Sequence, residues 1–178
     1  MSFSLIFSRR FSMAHRLIES GAEACATPHG HNEVVSVTLI DFQKERLNGH
    51  DNMVASFETA KRTWHRWIDE HVDHAFQLSE RDPLIAYFST HEPQRLSRLL
   101  LTPGDPTTEV LAACFMSKVN AILASEFPSL RCAEVRIEET PTNTVVFNGD
   151  PARVLPPRPS PWWSRADMCL NDLTRERT

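Results

Sequence analysis

The sequence has 178 residues, a formal net charge of −4 and an isoelectric point near 6.1. This length suits a single domain, and the acidic balance argues against a general nucleic-acid binder, which needs concentrated lysine and arginine. The four cysteines are scattered without paired spacing, so no disulfide framework is expected. The N-terminal residues lack the pattern of a secretory signal, and no apolar run approaches the roughly 20 residues of a membrane span. We therefore expect a soluble, cytoplasmic protein that contacts no membrane.

Two strands are predicted near the N-terminus. Residues 3–15 carry apolar side chains at near-alternate positions, and residues 31–42 alternate again, with Val35, Val37 and Leu39 on one face. An antiparallel pair is the most economical arrangement of two strands so close in sequence.

Two helices are predicted in the middle of the chain. Residues 56–71 place Phe57, Trp64 and other apolar side chains at helical spacing, and a second amphipathic pattern covers residues 107–125. Asp105 is a plausible N-cap of that second helix, with Pro106 in its first turn. The intervening residues 75–105 are rich in charge and proline, and we expect them to be an irregular insertion.

Two further strands are predicted at residues 132–139 and 144–148, joined by a turn. The element order predicts an α+β fold in which a four-stranded antiparallel sheet carries two helices on one face. We expect this domain to span residues 1–149. The proline-rich residues 150–178 should form an extended tail outside the sheet, and the adjacent Trp162 and Trp163 favour its docking on the domain or on a neighbouring subunit.

Three histidines predict a metal site. His29 and His31 lie two residues apart on a strand and so share a face, while His15 can arrive from the neighbouring strand. Any one of them alone would be an ordinary surface or core histidine. Three imidazoles together leave a coordination position free for water or substrate, which is typical of catalytic zinc. Zinc is favoured because nothing in the sequence indicates redox chemistry.

Cys25 lies in a predicted loop four residues before His29. It could be a fourth metal ligand or an inert thiol. A nearby cation also favours the thiolate, which would make this residue a competent base or nucleophile.

Three carboxylates and one further histidine have open interpretations. Asp73 and His74 follow the first helix and are either a solvated pair or a proton donor oriented by a carboxylate. Glu109 falls in the first turn of the second helix, where the helix dipole favours a carboxylate without any function. Glu139 is either a solvated strand end or a carboxylate that accepts two N–H bonds from a guanidine-like heterocycle.

An ordered set of motifs resembles the 6-pyruvoyltetrahydropterin synthase family, which includes the bacterial 6-carboxytetrahydropterin synthases of queuosine biosynthesis. The resemblance covers residues 3–149, and its motifs are Phe11-Ser12-Met13-Ala14-His15, Cys25 to His31, Val72-Asp73-His74, Pro106-Thr107-Thr108-Glu109 and Glu138-Glu139-Thr140. It implies a tunnelling fold, in which the sheets of several subunits join into a barrel. The implied assembly is a homo-oligomer, a hexamer built from two trimers.

The resemblance also implies roles for individual residues. Zinc is bound by His15, His29 and His31, and Cys25 is the base that acts on the side chain of a pterin. Asp73 and His74 form a proton relay on the opposite side. The pterin is anchored by Glu139, with Thr107, Thr108 and Glu109 nearby. Candidate cations for a triphosphate are Arg9, Arg10 and Arg16, by proximity to the first ligand strand alone.

The implied reaction converts 7,8-dihydroneopterin triphosphate to 6-carboxy-5,6,7,8-tetrahydropterin. The alternatives are a 6-pyruvoyltetrahydropterin synthase, an aldolase acting on dephosphorylated dihydroneopterin, and a zinc-bearing assembly protein without turnover. Departures from the family pattern include Met13 in place of a small alanine, Ser56 in place of an aspartate, and the 31 residues that separate His74 from Pro106. We expect these departures to affect substrate identity and subunit contacts more than metal binding.

Overall fold

A mixed six-stranded sheet organises the chain in a computed structural model, which describes residues 3–19, 23–43 and 47–173. The strands are β1 (Ser4–His15), β2 (His29–Asp41), β3 (Phe76–Ser79), β4 (Leu99–Thr102), β5 (Leu130–Thr140) and β6 (Asn143–Phe147). Their order across the sheet is β4-β3-β1-β2-β5-β6. The unit β1-β2-β5-β6 is antiparallel throughout, whereas β3 and β4 run parallel to β1.

The helices cover one face of the antiparallel unit. In β1 the alternate residues Leu5, Phe7 and Met13 are buried, while Ile6 on the other face is 60 % exposed. This period of two is what a sheet with one covered face imposes. The predicted α+β fold, with four antiparallel strands and two helices on one face, is therefore confirmed for this part of the sheet.

In the described part of the chain, four α-helices accompany the strands: α1 (Glu23–Ala26), α2 (Phe57–Trp67), α3 (Leu84–His91) and α4 (Thr108–Glu126). The predicted stripe of α2 is buried at Ala60, Trp64 and Trp67, whereas Phe57 at its start is 57 % exposed. The helix continues into a π-helical turn at Ile68–Val72 that ends immediately before Asp73. Helix α4 is long and apolar enough to cross a bilayer by length and composition, but 56 % of that stretch is buried inside the protein. It is the central core helix of the fold.

The prediction that residues 75–105 are irregular is wrong. This segment forms β3, α3, a 3₁₀ turn at Pro93–Arg98 and β4. Leu99 and Leu101 pack with Phe88 of α3 in a second, smaller core, whereas Leu100 faces the main core. Helix α3 thus lies on the sheet face opposite to α2 and α4. Both strands are four residues long and almost wholly buried. Strand β4 has no polar alternation, and the alternation in β3 covers only four residues, so neither gives a strong strand signal in sequence.

The tail packs into the main core through a few apolar side chains, and its last residues, 174–178, lie outside the described residues. Leu155, Trp162, Trp163 and Leu170 are all buried there. The indole of Trp162 stacks on that of Trp67 at a centroid distance of 6.1 Å, and its Nε1 donates to the Leu101 carbonyl oxygen at 2.7 Å. These contacts bind the tail to both the domain and the inserted strands.

A buried lysine of α4 fastens the tail further. The side chain of Lys118 is fully buried, and its Nζ donates to the Trp162 carbonyl at 3.0 Å, to Asp167 at 3.2 Å and to the Cys169 carbonyl at 3.3 Å. Burial lowers the pKa of Lys118, an effect that the charge of Asp167 opposes. A buried ammonium loses its hydration and needs such partners. The tail therefore supplies the hydrogen bonds and the charge that offset the cost of burying Lys118.

Candidate metal centre

The three predicted histidine ligands converge. The ligand atoms of His15, His29 and His31 all lie within 4.8 Å of one another, and the Nε2 atoms of His15 and His29 are 3.0 Å apart. Two nitrogens bound tetrahedrally to zinc at about 2.0–2.1 Å would be separated by roughly 3.3 Å. This nitrogen donor set therefore fits a transition-metal ion such as zinc, with a coordination position left for another ligand.

Hydrogen bonds on the far side of two imidazoles orient them for this role. Nδ1 of His15 lies 3.0 Å from the Pro106 carbonyl oxygen, and Nδ1 of His29 lies 2.9 Å from the Thr27 carbonyl oxygen. A carbonyl can only accept, so each Nδ1 carries the proton and each Nε2 presents its lone pair. Burial lowers the pKa of His15, partly opposed by the Pro106 carbonyl, and so favours the neutral form that binds metals.

A glycine between two of the ligands lets the strands approach. A Cβ atom at Gly30 would lie 3.0 Å from the carbonyl oxygen of Met13, closer than an ordinary contact allows. A side chain at position 30 would therefore push β1 from β2 where His15 and His29 face each other.

Cys25 lies in the single turn of α1 rather than in the predicted loop. Its carbonyl accepts the N–H of Leu17 at 2.8 Å, which fixes α1 beside the chain that leaves His15. The thiol does not belong to the group of three ligand atoms. Cys25 thus lies beside the chain that follows His15, with its thiol outside the group of candidate ligand atoms.

The predicted substrate residues line a cavity of about 530 Å³ beside the metal ligands. Its walls include His15, Thr107, Thr108, Glu109 and Glu139. The hydroxyl of Thr108 donates to Oε1 of Glu139 at 2.6 Å, which ties the first turn of α4 to the end of β5. The structure therefore brings one metal ligand and all four substrate candidates to one cavity.

The N-cap of α4 is Thr107, so the prediction of Asp105 is wrong. The Thr107 side chain accepts the N–H of Val110 at 3.4 Å. Asp105 instead accepts the N–H groups of Ile18 and Glu19 at 2.8 and 3.0 Å, which holds the chain after β1 against the start of α4. Asp105 lies two residues before the cap and binds another segment, a use that depends on tertiary contacts.

Glu33 is a candidate that the sequence analysis missed. It is 4 % exposed, and its Oε2 has no hydrogen-bond partner among the described residues. Burial and the nearby Glu139 raise the pKa of Glu33 to about 8. The sequence could have indicated Glu33. The period-two pattern of β2 places position 33 on the same buried face of the strand as Val35, where an acidic residue is unusual.

Asp73 and His74 form a hydrogen-bonded pair at the edge of β1. Nδ1 of His74 lies 2.9 Å from Asp73, whose other oxygen accepts the N–H of Ser12 at 2.7 Å. Partial burial alone would raise the pKa of Asp73, but the Ser12 N–H and the His74 imidazole together hold it below its usual value. His74 has a φ of +63°, an uncommon conformation for a residue with a side chain, and its backbone N–H donates to Ser12 at 2.7 Å.

This pair opens into different cavities from the one that Glu139 lines. A cavity of about 500 Å³ is lined by Asp73, His74 and Arg10, and another of about 360 Å³ by His74 and His31. Cys25 lines none of these three cavities. One chain therefore gathers the metal ligands and the substrate candidates, but it does not gather all three predicted catalytic residues in a single cavity.

The three arginines proposed for the triphosphate differ in availability. Arg9 makes two bonds to Asp69 at 2.6 and 2.7 Å, and Arg16 makes two to Asp82 at 2.8 and 2.5 Å. Arg10 is exposed and makes no ion pair with any described residue. Of the three, Arg10 is the guanidinium available to an anion in the cavity that contains Asp73 and His74.

Comparisons with known proteins agree on one family. The family model described as 6-pyruvoyl tetrahydropterin synthase matches residues 4–150. A 6-carboxy-5,6,7,8-tetrahydropterin synthase of Bacillus subtilis is 27 % identical over 146 residues, which are 82 % of this chain and 85 % of the relative.

Two solved structures show the same fold. A 6-pyruvoyl tetrahydropterin synthase of Caenorhabditis elegans superposes with a TM-score of 0.55 at 25 % identity, over 84 % of this chain and 97 % of the other. An uncharacterized protein of Wolinella succinogenes superposes with a TM-score of 0.68 at 18 % identity, over 84 % and 99 %. These likenesses confirm the predicted tunnelling fold.

Proposed function

The chain belongs to the 6-pyruvoyl tetrahydropterin synthase family of pterin-metabolism lyases, and from that premise we propose that it converts 7,8-dihydroneopterin triphosphate to 6-carboxy-5,6,7,8-tetrahydropterin with a bound zinc ion. The observation that carries the proposal is the cavity in which His15, Thr108 and Glu139 meet. The carboxy-forming reaction is preferred because the Bacillus subtilis relative bears that name. The product would enter queuosine biosynthesis in the cytoplasm.

Glu139 recognises the pterin in this proposal. Its carboxylate accepts the ring N–H and the amino group of the pterin, and the hydroxyl of Thr108 fixes the orientation of the carboxylate. Charge-assisted pairs of this kind discriminate strongly against a ligand that lacks either donor.

His15, His29 and His31 would hold the metal ion, which would supply Lewis-acid chemistry to an oxygen of the substrate side chain. Cys25 takes a proton from the adjacent side-chain carbon as a thiolate base. Asp73 accepts the Nδ1 proton of His74 in a hydrogen bond and so orients the imidazole. Nε2 of His74 then exchanges with the substrate the second proton that the reaction moves. Arg10 holds the triphosphate in the same cavity as Asp73 and His74.

A second copy of the chain completes this arrangement. Asp73 and His74 open into cavities apart from the one that contains Glu139, so a neighbouring subunit supplies them to each site. The uncovered sheet face, with Ile6 60 % exposed, provides surface for a barrel made by several copies. We assign a hexamer of two trimers to this assembly, with residues 1–149 as the catalytic domain.

Incubation of the purified protein with 7,8-dihydroneopterin triphosphate tests the proposal. Release of acetaldehyde with a 6-carboxy product supports it. A 6-pyruvoyl product favours the alternative activity, for which the Caenorhabditis elegans structure is the supporting observation. Turnover confined to dephosphorylated dihydroneopterin indicates an aldolase, and metal binding without turnover indicates a non-catalytic assembly protein.

Replacing Glu139 with glutamine tests the pterin anchor. The substitution keeps the shape but removes the charge, and hydrogen bonds to charged groups contribute about 1.5–3 kcal/mol. We expect the KM for the pterin to rise by roughly 10–100-fold, with a smaller effect on kcat. Glu134→Gln, on the same strand, is the matched control. An unchanged KM in Glu139→Gln would show that another group anchors the pterin.

A further inference from the structure

The insertion meets the metal-binding strand at its last residue. Strand β3 pairs with β1 only at Ala14, opposite Phe76, and at His15, opposite Gln77. His15 is also the end of β1, so this pairing is what bounds the ligand strand on its outer side. The backbone of a metal ligand is therefore in register with the insertion rather than with a free sheet edge.

An ion pair extends this contact by one residue. Arg16 follows His15 and makes two hydrogen bonds to Asp82, whose side chain is fully buried. Asp82 also accepts the N–H of Leu84 at 2.8 Å. A buried carboxylate is costly without partners, and the forked guanidinium fixes both direction and distance. The pair thus holds the chain next to His15 in one position.

The last residue of the insertion and the residue that follows it contact the same part of the chain. The Pro106 carbonyl accepts a hydrogen bond from His15, and Asp105 accepts the N–H groups of Ile18 and Glu19. The backbone of His15 is thus paired with the start of the insertion, and the residues after His15 are held by its last residue, Asp105. The imidazole is held by Pro106, directly after the insertion.

The tail holds the insertion in turn. The carbonyl of Leu170 accepts the N–H of Leu101, and the Asn171 amide donates to the carbonyls of Leu96 and Leu99 at 2.8 and 2.7 Å. Arg158 makes two hydrogen bonds to Glu80, which follows β3. Strand β4, at the edge of the sheet, is consequently covered by the tail.

We propose that the insertion, residues 75–105, is a brace that positions His15 for the metal ion, and that Arg16 and Asp82 are positioning residues of the metal site. The proposal rests on the metal site of the proposed function. The insertion contacts the chain at His15 from two sides, through the pairing of β3 and through Asp105. The metal affinity of the site then depends on a contact that touches neither metal nor substrate.

The test compares Asp82→Asn with Asp69→Asn. Each substitution removes a carboxylate charge that an arginine binds, Arg9 within β1 or Arg16 directly after it. Asp69 belongs to the turn after α2, and its partner Arg9 is not next to a candidate metal ligand. Affinity for cobalt(II) and zinc(II) is measured by competition with a chromophoric chelator. We expect Asp82→Asn to weaken binding by about 10–100-fold, the usual range for partners of metal ligands, and to alter the cobalt absorption spectrum. Asp69→Asn should change neither.

A merely structural role is excluded by a third variant. Ile122 is buried at the far end of α4, roughly 20 Å along the helix from Thr108, and Ile122→Val lowers stability by removing one methyl group from the main core. It should leave the cobalt spectrum unchanged. If Asp82→Asn does not fold, Arg16→Lys is judged by the same criterion, because it keeps the charge and loses the fork.

Unchanged metal affinity in the folded variant would overturn the brace while leaving the proposed function intact. Absence of metal binding by the unmodified chain would instead overturn the metal-dependent part of that function. The two failures are therefore distinguishable without any measurement of turnover.

Discussion

Cys25→Ala is expected to lower turnover of 7,8-dihydroneopterin triphosphate by roughly 10²–10⁴-fold while the metal ion stays bound. That range is the usual contribution of a positioned general base. The metal is retained because the thiol is outside the group of ligand atoms formed by His15, His29 and His31. Turnover is measured by product formation at saturating substrate, and metal content by elemental analysis of the same protein.

Cys169→Ala is the matched control, since Cys169 is also a partly buried free cysteine but lies in the tail. It should retain full turnover. Retained activity in Cys25→Ala would exclude the thiol as the base, whereas loss of the metal together with activity would make Cys25 a ligand.

Trp162→Ala is expected to lower the free energy of unfolding by about 3–5 kcal/mol, as full truncation of a buried aromatic side chain does. Trp162 is 1 % exposed and stacks on Trp67, and its indole N–H bonds the Leu101 carbonyl. Its removal leaves a cavity and an unpaired carbonyl between the tail and the main core. Urea denaturation followed by circular dichroism measures the change.

Val154→Ala, also in the tail but 60 % exposed, should change the same quantity by less than about 0.5 kcal/mol. A loss below about 1 kcal/mol for Trp162→Ala would mean that the tail is an appendage and that the core is stable without it.

The fold was predictable wherever one side of an element faces water. Strands β1 and β2 and helix α2 alternate between buried and exposed positions, and their sequences carry that period. Strands β3 and β4 are buried on both sides and only four residues long, so β4 shows no such period and that of β3 is too short to identify a strand. Proline and charge in the insertion suggested irregularity, but those residues occupy its turns, while four-residue strands lie between.

The site was predictable where its residues share one local pattern. The two-residue spacing on β2 identified His29 and His31, and the antiparallel neighbour identified His15. Long-range partners carried no such pattern. Nothing near Arg16 in sequence indicates that Asp82 occupies its guanidinium, because the two are 66 residues apart. Asp73 and Glu139 line separate cavities. This too could not be predicted, because it depends on the face and the edge of the sheet that each residue reaches.

The chemical reactivity of the buried Lys118 ammonium reports whether the tail is bound to the core. An amine-specific acylating reagent modifies lysines that reach solvent, and this one is enclosed by Trp162, Asp167 and Cys169. Lys61, on the partly exposed side of α2, provides an internal reference in the same chain. The ratio of the two labelling yields, read by peptide mass spectrometry, measures how often the C-terminal segment detaches, without a fluorophore or an engineered cysteine.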